Sequence, residues 1–165
     1  DGKTKYTRGA GSLELCSEVS SYLNEKHGIK YSPEDIIITP GAKQGLLYSF
    51  LITTMPGDEV ILLAPSWASY EPMLKIIEAV PVHVPVRKDN FHPDLSAIKN
   101  AITEKTKMIL LNSPCNPTGA VFTPYEIQEI VNIAKENDLW IVSDEIYARL
   151  VWVDYPHVSP ASLPG

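Results

Sequence analysis

The sequence predicts an α/β fold, a three-layer sandwich in which helices cover both faces of a mostly parallel sheet. Three observations carry that prediction. Apolar runs of strand length alternate with helix-length segments at the spacing of βαβ units. Residues 59–63 and 108–111 are near-continuous in Val, Ile and Leu, as strands are when both sheet faces are buried. Pro and Gly punctuate the strand ends and helix starts at Pro40-Gly41, Pro56-Gly57 and Pro117-Thr118-Gly119.

Taken in order, residues 12–27 read as a helix with Leu15, Val19, Tyr22 and Leu23 on its inner face and Gly28 as its stop. Ser32-Pro33-Glu34-Asp35 reads as a capped turn feeding a short apolar strand at 36–38. The next helix buries Leu47, Phe50, Leu51 and Thr54 and ends at Pro56-Gly57. A strand at 59–63 breaks at Pro65-Ser66-Trp67, and a helix begins near Tyr70, because Pro72 suits only a first turn. A weaker strand covers 80–84. Residues 94–102 are helical with Leu95, Ile98 and Ile102 inward, and 108–111 form the next strand. Thr123-Pro124-Tyr125-Glu126 is the strongest helix start, a capping box with proline at the first helical position. Ile127, Ile130, Val131 and Ala134 line the inner face of that helix. A last strand at 140–142 delivers Ser143-Asp144-Glu145, and 159–165 read as loop.

The totals narrow the function classes. The chain has 165 residues, enough for one domain with a sizeable core, and 1–165 is read as a single domain. It is 44% hydrophobic and 21% charged, with no apolar run long enough to cross a membrane. A net charge of −6 argues against non-specific nucleic-acid binding, and Lys3, Lys5 and Arg8 read as a solvated tail. Cys16 and Cys115 make no disulfide framework, and the four histidines stand too far apart for a metal site. No signal-peptide pattern stands in the first residues, and a reducing, cytoplasmic setting is the expectation.

The chemistry gathers at strand ends, where α/β proteins bind ligands. Asn112-Ser113-Pro114-Cys115-Asn116-Pro117-Thr118-Gly119 holds two amides and a hydroxyl on a proline-stiffened turn. Gly41-Ala42-Lys43-Gln44 lies between a strand and a helix, where free amides and the helix dipole meet, and reads either as a phosphate nest or as an ordinary turn. Trp67 reads as a stacking platform or as a core tryptophan. Asp144 ends an apolar strand and needs a partner, either a protonated ring nitrogen or an arginine such as Arg149. Tyr147 adds a phenol. A phosphate nest, an aromatic platform, an amide and a carboxylate together meet the needs of pyridoxal phosphate.

These residues resemble a known family. Tyr6-Thr7-x-x-x-Gly11-x-x-Glu14-Leu15, Thr39-x-Gly41-x-Lys43-Gln44, Pro56-Gly57-Asp58-Glu59-Val60, Pro65-x-Trp67-x-x-Tyr70, Asn116-Pro117-Thr118-Gly119 and Ser143-Asp144-Glu145-x-Tyr147 stand in the order of the class I/II aminotransferases, fold type I pyridoxal-phosphate enzymes. The resemblance runs over essentially the whole chain and is greatest to the bacterial aspartate-aminotransferase subgroup. It implies that Ala42 and Lys43 meet the cofactor phosphate, that Trp67 stacks on the ring, and that Asn116 and Tyr147 bind its phenolic oxygen. Asp144 would pair with the ring nitrogen, and Tyr6 would reach the phosphate of a neighbouring subunit, so a homo-oligomer is implied. The substrates would be an amino acid, aspartate being one candidate, and a 2-oxo acid.

The resemblance also implies parts of the family pattern that these residues do not supply. The family's Schiff-base lysine lies downstream of the Asp144 motif, and residues 145–165 contain no lysine. The N-terminal arm and the C-terminal small domain, with its substrate-clamping arginine, have no counterpart either. The expectation is therefore a partial cofactor-binding domain that does not turn over by itself. Two alternatives stand beside it: another fold type I enzyme (a carbon–sulfur lyase, decarboxylase or synthase) and a non-catalytic cofactor-binding or assembly module.

Overall fold

A computed structural model describes residues 2 and 4–164 of the chain. Lys3 of the basic opening and Gly165 of the closing loop lie outside the described residues. The chain divides into two compact units, Asp1–Gly45 and Leu46–Gly165.

The first unit is built on helix α1 (Leu13–His27). Ser12 caps it by accepting from the Leu15 amide at 3.2 Å, and Gly28 ends it in the left-handed conformation at φ 69°. The inner face is rotated from the expected stripe. Cys16 is fully buried, Val19 and Leu23 are half-buried, and Leu15 and Tyr22 are exposed. The stripe that faces inward is therefore 16, 19, 20 and 23, and the small thiol occupies the position the sequence reading gave to leucine. The expected capped turn is a 3₁₀ turn (Pro33–Asp35) in which Asp35 Oδ2 accepts from the Ser32 amide at 2.9 Å and from its hydroxyl at 2.8 Å.

The strand expected at 36–38 is absent. Ile36 is buried but Ile37 is 66% exposed, and the segment is tied by one backbone bond, Ile38 N–H to the Ala10 carbonyl at 2.9 Å. Three apolar residues without a partner strand do not make a ladder. The chain approaches itself closely here. Gly11, at φ +104°, lies so near Ile38 that a Cβ would come within 2.6 Å of its side chain.

The second unit holds the sheet. Strands β1 (Glu59–Ala64), β2 (Val80–Pro85), β3 (Thr106–Asn112) and β4 (Trp140–Asp144) are all parallel, in the order β2-β1-β3-β4. Successive residues of a strand point to opposite faces, so β1, β3 and β4 each feed two cores, while β2 contributes Val82 and Val84 to one of them. Ile61, Leu63, Ile109 and Leu111 pack with Ile98 of α4 (Leu95–Ala101) and with Ile127, Ile130 and Ile133 of α5 (Pro124–Glu136). Val60, Leu62, Met108 and Leu110 pack on the other face with Phe50 of α2 (Ala42–Thr53) and with Tyr70, Met73 and Leu74 of α3 (Tyr70–Ile76). At about 1.5–3 kcal/mol for each large apolar side chain fully buried, these two layers dominate the stability of the unit. Leu46 is buried on α2 and Leu51 is exposed, which shifts that helix's inner stripe by one position.

Local chemistry sets the helix ends. The α5 capping box is formed: Thr123 N–H donates to Glu126 at 2.8 Å, and the Glu126 amide donates to Thr123 Oγ1 at 3.2 Å. Glu126 also accepts from Arg87 at 2.5 Å and contacts His92 Nδ1 at 2.7 Å, which fastens the segment after β2 to the start of α5. Asp94 caps α4 through the Ser96 and Ala97 amides, both at 3.0 Å. A second 3₁₀ turn (Pro160–Ser162) lies in the segment expected to be loop. Among the described residues, no helix is long and apolar enough to cross a membrane.

Candidate functional site

β3 and β4 end level with each other: Asn112, the last residue of β3, pairs in register with Asp144, the last of β4. Asp144 is 8% exposed. Its Oδ2 accepts from the Tyr70 hydroxyl at 2.8 Å and its Oδ1 from the Ile146 amide at 3.2 Å. Both donors are neutral. Arg149, the alternative counter-ion considered from sequence, is exposed and forms no ion pair with Asp144 among the described residues.

Tyr70 is the first residue of α3 and is buried. Burial, reinforced by the hydrogen bond and the charge of Asp144, pushes its phenol well above the ordinary tyrosine range. The phenol therefore remains a donor. Trp67 meets the Tyr70 ring edge to face, with centroids 5.3 Å apart and planes at 86°. The indole also packs against the Phe50–Leu62 core, so its body is partly structural.

The turn after β3 is closed by its own bonds. Gly119 N–H donates to the Cys115 carbonyl at 2.7 Å and Cys115 N–H to the Ala120 carbonyl at 2.9 Å. The Thr118 hydroxyl accepts from the Ala120 amide at 3.2 Å, so it serves the turn itself. Asn116 and Tyr147 line one open depression of about 460 Å³, together with Cys115, Pro117 and Trp152.

Two groups belong to the site although the sequence assigned them no role. Asn112 donates to the Asp144 carbonyl at 3.0 Å and accepts from the Asn116 amide at 2.8 Å. Glu145 accepts from Ser159 Oγ at 2.7 Å and contacts His157 Nε2 at 3.2 Å, tying the segment after β4 back to its end. Burial raises the Glu145 carboxyl, but hydrogen bonds from His157, Ser159 and Ser143 outweigh it and hold the group below the usual carboxylate value. Only the Asn112–Asn116 contact is local, four positions apart; the Asp144 partner of Asn112 lies 32 positions away and the partners of Glu145 lie 12 and 14 away.

The remaining expected site residues are in the first unit. Tyr6 is fully exposed. Ala42 and Lys43 open α2 and are exposed, and Gly41 before them sits at φ +87°. No carboxylate stands in the first turn of α2.

The family model for aminotransferase class I and II matches residues 1–162. The chain belongs to that family. An aspartate aminotransferase of Sulfolobus acidocaldarius is 44% identical over 154 residues, which is 92% of this chain and 38% of that protein. The solved aspartate aminotransferase from Thermus thermophilus with maleate superposes at a TM-score of 0.94 with 40% identity, covering 98% of this chain and 42% of that one. An aromatic aminotransferase from Pyrococcus horikoshii gives a TM-score of 0.95 at 36% identity, over 98% of this chain and 44% of that one. The class I and II aminotransferase chain described here thus spans less than half the length of the relatives it matches.

Proposed function

We propose that this chain is the cofactor-binding part of a pyridoxal-phosphate-dependent aminotransferase. The parent enzyme would exchange an amino group between an amino acid and a 2-oxo acid. One observation carries the reading: Asp144 is a buried carboxylate at the end of a parallel strand, and among the described residues its two oxygens accept from neutral donors, the Tyr70 hydroxyl and the Ile146 amide. A charge in that position calls for a cationic partner, and a protonated pyridine nitrogen supplies one.

The resemblance gives the other residues roles toward the same group. Asn116 and Tyr147 line one depression and would hydrogen-bond the phenolic oxygen. Trp67, already braced by Tyr70, would stack on the ring. Ala42 and Lys43 would take the phosphate at the amino end of α2, whose first turn carries no acidic residue. Tyr6 would serve the phosphate of a second copy, which makes a homo-oligomer the working state. Bound, the cofactor would supply an electron sink for the bonds at the substrate's Cα. The chain's own residues hold, orient and electrostatically complement it.

Aspartate is the favoured donor, because aspartate aminotransferases stand among the most similar relatives. Residues 1–165 would form part of a large domain working in the cytoplasm. The roles proposed for residues 1–165 are those of the cradle; residues 145–165 contain no lysine. The expected result is weak, reversible uptake of pyridoxal phosphate, and no single lysine fixed stoichiometrically by borohydride. Asp144→Asn tests the carrying observation. The variant should fold, as judged by circular dichroism, and lose at least about tenfold in cofactor affinity. Wild-type affinity in Asp144→Asn would remove the basis of the reading.

A further inference from the structure

Asn112 has no part in the roles proposed above, yet both ends of its side-chain amide are committed. Nδ2 donates to the Asp144 carbonyl at 3.0 Å, and Oδ1 accepts from the Asn116 amide at 2.8 Å. The side chain is buried, with 8% of the residue exposed. Its orientation is dictated by its partners, for a carbonyl must face the NH₂ and an N–H must face the oxygen.

One rigid planar group therefore spans two backbones, at the turn that carries Asn116 and at the strand end that carries Asp144. Neither can shift without breaking a buried hydrogen bond or taking the other along. The residue types around it leave no substitute of the same shape. Aspartate keeps the acceptor and loses the donor, leucine loses both, and glutamine is one methylene too long.

We propose that Asn112 is a positioning residue that holds Asn116 and Asp144 as one pair at fixed separation. The proposal rests on the cofactor reading above, in which those two residues address different atoms of one flat ring. A ring does not stretch, so its two partners serve it only when their spacing is set beforehand. The register pairing of Asn112 with Asp144 puts the brace on sheet backbone, while Asn116 itself stands in a turn.

Two variants of the full chain test this by amide hydrogen exchange and by pyridoxal-phosphate titration. In Asn112→Ala, the Asn116 and Ile146 amides should exchange at least about tenfold faster while the β1 and β3 core amides keep wild-type protection. Pyridoxal-phosphate affinity should fall about tenfold. In Asn112→Asp, Asn116 protection should persist because its acceptor remains, Ile146 protection should fall, and affinity should still drop. Asn112→Asp also keeps the measurement possible if Asn112→Ala fails to fold.

Unchanged Asn116 exchange in Asn112→Ala overturns the brace. So does faster local exchange with undiminished affinity. Uniform loosening of all amides in both variants would reduce Asn112 to general packing and overturn the proposal too. Should the wild-type chain take up no pyridoxal phosphate, the functional reading falls, and the exchange comparison still decides whether Asn112 couples the two segments.

Discussion

The Tyr70 hydroxyl donates to Asp144 Oδ2 at 2.8 Å, joining the first residue of α3 to the last residue of β4 across 74 positions of sequence. Removing it in Tyr70→Phe leaves a buried carboxylate oxygen without its donor, at an expected cost of about 1–3 kcal/mol in urea unfolding. The pH dependence has a definite sign. The folded phenol titrates above the unfolded value of about 10, so its contribution is complete below that pH and declines as pH rises past it. Wild type should therefore lose stability in the alkaline range, and Tyr70→Phe should lose less. Parallel curves would mean that the hydroxyl contributes nothing to the fold.

Glu126 works at the other end of the pH scale. It is 5% exposed, and it accepts from Arg87, from the Thr123 amide and from the Thr123 hydroxyl, with His92 against its second oxygen. Burial alone would raise its carboxyl, but the bonds from Thr123 and His92 win and lower it. A lowered folded value means the stabilisation is complete above the unfolded pKa of about 4.3 and is lost as pH falls through the folded value. Glu126→Gln should be less stable near neutrality and show a shallower loss between about pH 5 and pH 3. Thermal melts across that range read both effects, and unaltered acid sensitivity would count against the assignment.

Self-association is expected of residues 1–165 by themselves. Among the described residues β4 is an edge strand, and Trp140, Ile146 and Trp152 near it are 60%, 64% and 86% exposed. An unpaired parallel edge with large apolar side chains beside it favours pairing with another copy. Light scattering at micromolar concentration should show a mass above the monomer that falls in Trp152→Glu. A monodisperse monomer under those conditions would contradict the expectation.

The architecture was legible in the sequence wherever local physics decides it. The Thr123 capping box, the first-turn Pro72 and the apolar runs of β1 and β3 each specify an element without reference to distant residues. The misreadings have a common cause. At 36–38 an apolar triplet imitates a strand but has no partner strand, and on α1 the choice of inner stripe depended on where Cys16 sits against Ala10 and Ile36.

The candidate site divides along the same line. Asn116, Asp144 and Tyr147 stand in recognisable motifs. Asn112 and Tyr70 both reach Asp144, 32 and 74 positions away, and only the folded sheet brings it near them; the second partner of Asn112, Asn116, is local.

The level finish of β3 and β4 also sets which changes of chain length the protein can absorb. An extra residue between Asn137 and Leu139, where the chain turns from α5 into β4, lengthens a connection and leaves the strand ends where they are. The same insertion inside β4 slides Asp144 past Asn112 and, because side chains alternate, exchanges the faces of Ile141 and Val142 between the two cores. Length variation among homologues should therefore collect in the connections, with the two strands themselves held to a fixed count.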